Sequence, residues 1–318
     1  MVGIASGNAA NMQSAMMSVA VKCKLLVMNC FAHTAQLLLG DVLEHWGSVL
    51  AKADAIESFF RRGYPKQVYE EEMGKVGGTL LRMPSATRWG SCIDMLQSVV
   101  KNNTVVDHAL GRLRREKFRS PEVDNMAWVW VNQYWDHMDQ ILQRLVGLRE
   151  FIAEVEADTC TLGDAVHRYL ELRGELEQWV ADLSPALAKN LNDVFANCDA
   201  QFLKRHACAA YFCDARYRAE VLTSSKVRET IEYLHTTAWP LFCDGDPPPL
   251  QSFTEYQNLM NEYARSKSLI TKTMSPTVYW VYLKGLPLAA IGECFAGLPS
   301  STGSVERLWS ACGFLHGA

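Results

Sequence analysis

Apolar residues along the chain follow two spacings, a short strand-like one near the start and a three-to-four-residue step through most of the remainder. Val2 to Ala5 forms a short apolar piece, a helical stretch begins at Asn8, and Leu25-Leu26-Val27-Met28 is a β-prone run. From Ala32 to Arg62 the pattern predicts helix, with Trp46, Leu50, Ala53 and Ile56 on one face, ending at the Gly63-Tyr64-Pro65 break. A glycine-rich connection, Gly74 to Pro84, follows. Beyond Met126, residues Tyr134, Met138, Ile141, Leu145, Leu148 and Ile152 step by three and four, which predicts one long helix with a single apolar stripe facing a core. Ser184-Pro185 reads as a helix start, with Leu187, Leu191, Val194 and Phe195 forming the face behind it. Asp244 to Pro249 cannot continue a helix and marks a boundary before the last helical stretches. No internal repeat is evident.

A β-α-β-α opening followed by roughly two hundred helical residues is unusual for one domain of the common size of ~100 to 150 residues. The expected architecture is an α/β domain interrupted by helices, with boundaries at 1–62, 63–274 and 275–318. The composition, 49% hydrophobic and 21% charged, is that of a globular chain. No apolar run reaches the ~18 residues of a membrane-spanning helix, and the N-terminus lacks the pattern of a signal peptide, so a soluble, intracellular protein is expected. Ten cysteines without a C-x-x-C pair suit reduced thiols better than disulfides or a zinc site. The formal charge of −4 argues against coating nucleic acid by bulk charge, so any DNA contact must be local.

Three segments carry a resemblance. The first is Ala5-Ser6-Gly7-Asn8-Ala9-Ala10-Asn11-Met12, with Asn29-Cys30-Phe31-Ala32-His33-Thr34 after it. The second is Pro84-Ser85-Ala86-Thr87-Arg88-Trp89-Gly90-Ser91, and the third runs from Pro299-Ser300-Ser301-Thr302 through Ser304-Val305-Glu306-Arg307-Leu308-Trp309 to Gly313. A fainter echo spans His206 to Tyr217, with Ala215 where proline is usual. Each match alone is weak, but in this order and spacing they resemble the hAT (hobo/Ac/Tam3-like) DNA transposases and their domesticated relatives. The resemblance implies a mixed α/β fold, mostly α by content: a partial ribonuclease-H-like core interrupted by a large all-helical insertion, with 275–318 as a truncated C-terminal dimerisation region completing the core. It further implies a nuclear location.

Active members of that family hold two Mg²⁺ or Mn²⁺ ions on three carboxylates. On the resemblance, the first carboxylate falls before residue 1, the second aligns with Gly7, which has no side-chain oxygen, and only Glu306 matches the third. One carboxylate cannot clamp two hard cations, so no metal, no cofactor and no strand cleavage are expected from this chain. The plainer reading of Glu306, which we favour, is a carboxylate in a first helical turn. The resemblance gives Cys30 and His33 a role in orienting the catalytic strand end, against the plainer and favoured reading of a buried thiol and a capped imidazole. It gives Arg88 and Trp89 a DNA-handling role, phosphate contact and base stacking, against ordinary packing for the tryptophan. Arg112, Arg114, Arg115, Lys117 and Arg119 form the densest basic run, a DNA contact or, as its plainer reading, a solvated helix end. Trp280, Ser304, Arg307, Leu308, Trp309 and Phe314 are the dimerisation candidates.

The expected function is therefore that of a transposase-derived remnant without catalysis, binding DNA weakly and forming a homo-oligomer through its C-terminal region, with neither membrane nor small-molecule substrate. Two alternatives stand open. One is an active transposase whose N-terminal part lies outside this chain, and the other is a helical interaction scaffold.

Overall fold

The computed structural model describes residues 3–6, 26–85, 90–217, 220–265 and 275–302. Gly7, Arg88, Trp89, Ser304, Glu306, Arg307, Leu308, Trp309 and Phe314 lie outside the described residues. What is described is mostly helical. The strands among these residues are β1 (Gly3–Ser6) and β2 (Leu26–Asn29), which pair in parallel with Gly3 opposite Leu26 and Ser6 opposite Asn29. Both strands lie within one residue of the positions their apolar runs predict. Parallel pairing requires a crossover rather than a tight turn, and the long stretch between the two strands allows one.

Contacts divide the chain into two compact units, the first comprising 1–35, 151–182 and 188–318, the second 36–150 and 183–187. The boundaries expected at 62 and 274 do not coincide with this division. The physical reason lies in which helical faces meet. In the second unit α2 (Gly47–Phe60) packs on α3 (Gly63–Val76) and α4 (Gly90–Lys101), and α3 packs on α5 (Asn103–Arg115), so residues before 62 share a core with those after it. The helix expected from Ala32 to Arg62 is two. The first, α1 (Phe31–Glu44), ends at a turn where the amide of the buried Trp46 donates to the Leu43 carbonyl at 3.0 Å, and α2 begins immediately after. The expected break at Gly63-Tyr64-Pro65 is instead the start of α3. Gly63 takes a left-handed φ of 65°, and Pro65 occupies the first turn, where its missing N–H costs nothing.

The glycine-rich connection is an extended strap, pinned to α4 at intervals. The Thr79 amide donates to Asn102 Oδ1 at 2.8 Å, the Arg82 amide to Ser98 Oγ at 2.9 Å, and the Ser85 amide to Ser91 Oγ at 2.7 Å. Gly78 is required at the top of the strap because a Cβ there would stand 2.8 Å from Asn102 Oδ1. Asn102 is buried and also donates to Ser98 O and Thr79 Oγ1, so its amide group is fully used.

Past the short α6 (Pro121–Asn125) and a 3₁₀ turn at Ala127–Trp130, the predicted stripe lies on α7 (Asn132–Val155). Met138, Ile141, Leu145, Leu148 and Ile152 are all buried there, and Tyr134 is half-buried. In the first unit, α8 (Leu162–Ala181) opens with a capping box in which Thr161 Oγ1 accepts from the Asp164 amide and Asp164 accepts from the Thr161 amide. Then come α9 (Pro185–Phe202), which begins at the proline as predicted, and α10 (Arg205–Cys213). Every residue of α10 from Ala207 to Cys213 is buried, as expected for a helix apolar on all sides at the centre of a unit, and it packs on α8, α11 (Ser224–Tyr233) and α15 (Ala289–Ala296). A four-ring cluster of Phe31, Phe151, Tyr169 and Phe202 ties the start of α1 to α8 and α9, with centroids 4.2 to 6.1 Å apart. The short α12 (Trp239–Phe242) precedes the Asp244 to Pro249 loop, and α13 (Leu250–Arg265) and α14 (Pro276–Tyr282) follow it.

Candidate functional site

Residues 299–302 open the third motif segment, and the structure brings Ser300 and Thr302 onto the start of α1. The Phe31 amide donates to Ser300 O at 3.0 Å, while Ser300 itself donates through its amide to Cys160 O and through Oγ to Val155 O and Cys160 O, both at 3.0 Å. Thr302 donates through its amide and hydroxyl to the Cys30 sulfur at 3.4 and 3.3 Å. Ser300 is 1% exposed, and its hydroxyl bond to Val155 O is made away from water, so its loss leaves a desolvated partner. Cys30 is thus a buried acceptor that joins two motif segments about 270 residues apart in sequence. His33 does not share this place. It is exposed on α1, while the Cys30 thiol is buried. Among the described residues no group of three His, Cys, Asp or Glu side chains gathers in metal-binding geometry.

One dense polar constellation among the described residues is one to which the sequence assigned no role. It grows from the faint echo at Asp214-Ala215-Arg216-Tyr217. Asp214, directly after α10 and fully buried, accepts from the Arg216 amide at 3.0 Å and from the Arg216 guanidinium in a two-pronged pair, Nε at 2.9 Å and Nη2 at 2.6 Å. Arg216 Nη2 also lies 2.9 Å from Asp164 Oδ1, and the Tyr217 hydroxyl donates to that same Asp164 oxygen. Gly163 lets the carboxylate approach, since a Cβ there would meet Asp214 Oδ2 at 2.9 Å. Burial raises the Asp214 carboxyl above its ordinary range against the pull of Arg216. Burial opposes ionisation of Asp164 as well, but the Tyr217 hydroxyl, the Thr161 amide and Arg216 outweigh it and hold its pKa below the ordinary value. The Tyr217 ring stacks on His167 at 4.0 Å, and His167 Nδ1 lies 3.3 Å from the Tyr211 hydroxyl.

Asp164, His167, Arg216 and Tyr217 line a cleft of about 710 Å³ together with Glu154 and Cys160, with Asp214 buried outside its lining. Its chemistry is conservative. The Arg216, Asp214 and Asp164 charges are paired with one another, and burial pushes the Cys160 thiol up to about 11, so it is no thiolate nucleophile at neutral pH. The legible signals for it were the Thr161-x-x-Asp164 capping pattern and the Asp-x-Arg-Tyr run behind an apolar helix.

The basic run divides. Arg112 is consumed inside the second unit, with Nε 2.8 Å from Glu116 and Nη1 paired to Glu71 and Glu72. Arg114 places its guanidinium carbon over the Trp130 ring, 4.0 Å from its centroid. Arg115, Lys117 and Arg119 are exposed. Lys117 has a left-handed φ of 57° and closes α5 with the bonds of a Schellman cap, Phe118 N to Leu113 O at 2.9 Å and Lys117 N to Arg114 O at 3.0 Å. Glycine is the usual residue there, so a lysine at this position carries conformational strain.

Trp280 is buried, contrary to what a dimer contact through its side chain would need. Its Nε1 donates to Cys213 O at 2.9 Å and its ring lies on Gly292, where a Cβ would stand 2.2 Å away. The exposed side chains on that helix are Val278, Val281 and Tyr282. No helix among the described residues is long and apolar enough to cross a membrane. Comparison of the chain with protein-family models and with characterised proteins finds no match, so its function is argued from these residues alone.

Proposed function

We propose that the chain is a transposase-derived protein with a ribonuclease-H-like core of hAT ancestry, which contacts DNA and associates with itself but does not cut DNA. The observation that carries this reading is the docking of 299–302 on Cys30 and Phe31, since these residues belong to two of the three segments that carry the resemblance. Strand cleavage of the family's kind needs three carboxylates around two cations. Gly7, at a position where the resemblance expects a carboxylate, supplies no oxygen, so the donor set does not fit the metals and no step is routed through them. DNA contact falls to Arg115, Lys117 and Arg119, which project from the end of α5, and the strained lysine at 117 suits a position held for its charge.

Two measurements test this. Purified chain with Mg²⁺ or Mn²⁺ leaves hairpin and nicked duplex substrates uncut; robust metal-dependent cutting that disappears in Glu306→Gln restores the active-transposase reading. Duplex retention is weak and salt-sensitive, and replacing Arg115, Lys117 and Arg119 together by glutamine lowers the salt slope by up to about 3, one for each phosphate no longer neutralised. The pairing of Arg112 with three glutamates favours a second reading, a helical interaction scaffold. Retention unchanged in the triple variant selects it.

A further inference from the structure

The turn Ala127–Trp130 is fixed from within: Val129 is buried, and its carbonyl accepts from Trp135 Nε1 at 2.8 Å. On one side of this turn the Trp128 and Tyr134 rings meet with centroids 4.5 Å apart and planes inclined at 58°, two adjacent walls rather than a parallel stack. Lys52, reaching across from α2, places its Nζ 4.1 Å from the centre of the Tyr134 ring and 5.1 Å from that of Trp128. Among the described residues no carboxylate stands within ion-pair distance of this ammonium, whereas Lys66 and Lys75 of the neighbouring α3 each pair with a glutamate. Lys52, Trp128 and Tyr134 are all half-buried, so the place is open to solvent on one side.

We infer that Trp128 and Tyr134 form a binding site for an alkylammonium group, the class that includes methylated lysine side chains and choline-like head groups, with Lys52 as its intramolecular occupant. The ring faces attract positive charge through their quadrupoles and offer no acceptor to N–H bonds. An ammonium bearing N–H groups gives up water hydrogen bonds to enter such a site and recovers none, while an alkylated ammonium has fewer or none to give up. A site built from faces without a carboxylate therefore favours the alkylated ion. The four-carbon stem of Lys52 can swing out, and while it is in place it competes with any external cation and weakens the apparent affinity.

The test uses the full chain and its Lys52→Ala variant, titrated with tetramethylammonium chloride by calorimetry at constant ionic strength. Saturable binding at least about tenfold tighter in Lys52→Ala than in the parent is expected, a difference of about 1.4 kcal/mol. Ammonium chloride binds more weakly, and Tyr134→Leu in the same background abolishes binding. If Lys52→Ala does not fold, Lys52→Gln carries the same comparison. Absence of saturable binding in a folded Lys52 variant, or binding unaffected by Tyr134→Leu, overturns the site; equal affinity in parent and variant overturns Lys52 as occupant. N-acetyl-trimethyllysine amide and choline, titrated as separate arms, distinguish a protein side chain from a lipid head group by which binds more tightly.

Discussion

Arg216 illustrates how one residue concentrates the energetics of its unit. Its guanidinium holds the buried Asp214 carboxylate in a two-pronged pair and reaches Asp164 as well. Removing it leaves Asp214 buried without its counter-charge, to be held as a bare carboxylate or protonated at a cost, so Arg216→Met is expected to cost about 3 to 5 kcal/mol in urea denaturation. Adding Asp214→Asn to the same chain should recover part of that loss. A single variant as stable as the parent would show that the pair contributes nothing. His206 sets the acid limb of stability. Burial, then the neighbouring Lys204, depresses its pKa from 6.5 to about 4, and its Nε2 is buried without a hydrogen-bond partner among the described residues. The unfolded chain therefore binds this proton first as pH falls. Stability is full above about 6.5 and declines as pH drops toward 4, by at most about 1.4 kcal/mol per unit. Asp164, whose pKa is depressed, holds its contribution until the pH falls below its ordinary value of 3.8. Urea midpoints between pH 7 and 4.5 should thus fall less steeply in His206→Asn than in the parent, and parallel curves would refute the assignment.

At the scale of elements, the end of α5 opposes stability to charge. Lys117 occupies the left-handed position of a Schellman cap, so Lys117→Gly should raise stability by up to about 1 kcal/mol while weakening DNA retention. A glycine variant that is less stable would mean the lysine stem packs more than it strains. The strap at 77–85 makes a second case. Asn102 holds the strap's first turn by two hydrogen bonds to Thr79 and is itself anchored by a third to Ser98 O, and Asn102→Ala is expected to cost about 1 to 3 kcal/mol and to expose the strap to proteolysis between Leu80 and Met83. Those two side chains are already 60 and 61% exposed, so the polar anchors rather than apolar burial keep the strap in place.

At the scale of the whole molecule, the two units have separate cores. Leu110 is fully buried in the second and Phe202 in the first. Truncating either to alanine should cost about 2 to 5 kcal/mol. Hydrogen exchange should accelerate mainly within 36–150 for Leu110→Ala and mainly within 151–302 for Phe202→Ala. Acceleration spread evenly over both ranges in either variant would mean that they unfold as one.

The sequence by itself determined the elements whose apolar spacing is unambiguous. The two strands, the long stripe from Met138 to Ile152, the proline start at 185 and the break after Asp244 are local properties, set by side-chain period and backbone restriction. What the tertiary structure decided is everything that depends on partners distant along the chain. Gly63-Tyr64-Pro65 looked like an ending because both Gly63 and Pro65 break helices, yet the same two restrictions begin one once α3 has a neighbour to pack on. Arg112 and Arg115 are alike in sequence, and only the glutamates brought near by α3 take one out of solution and leave the other exposed. Trp280 looked available for a partner and is buried on Gly292, while Asp164, Asp214 and Arg216 became a cluster only when α8 and α10 met. Periodicity fixes which face of a helix turns inward, but which charge finds a counter-charge, and which aromatic ring finds a cation, is settled by the long-range packing that brings them together.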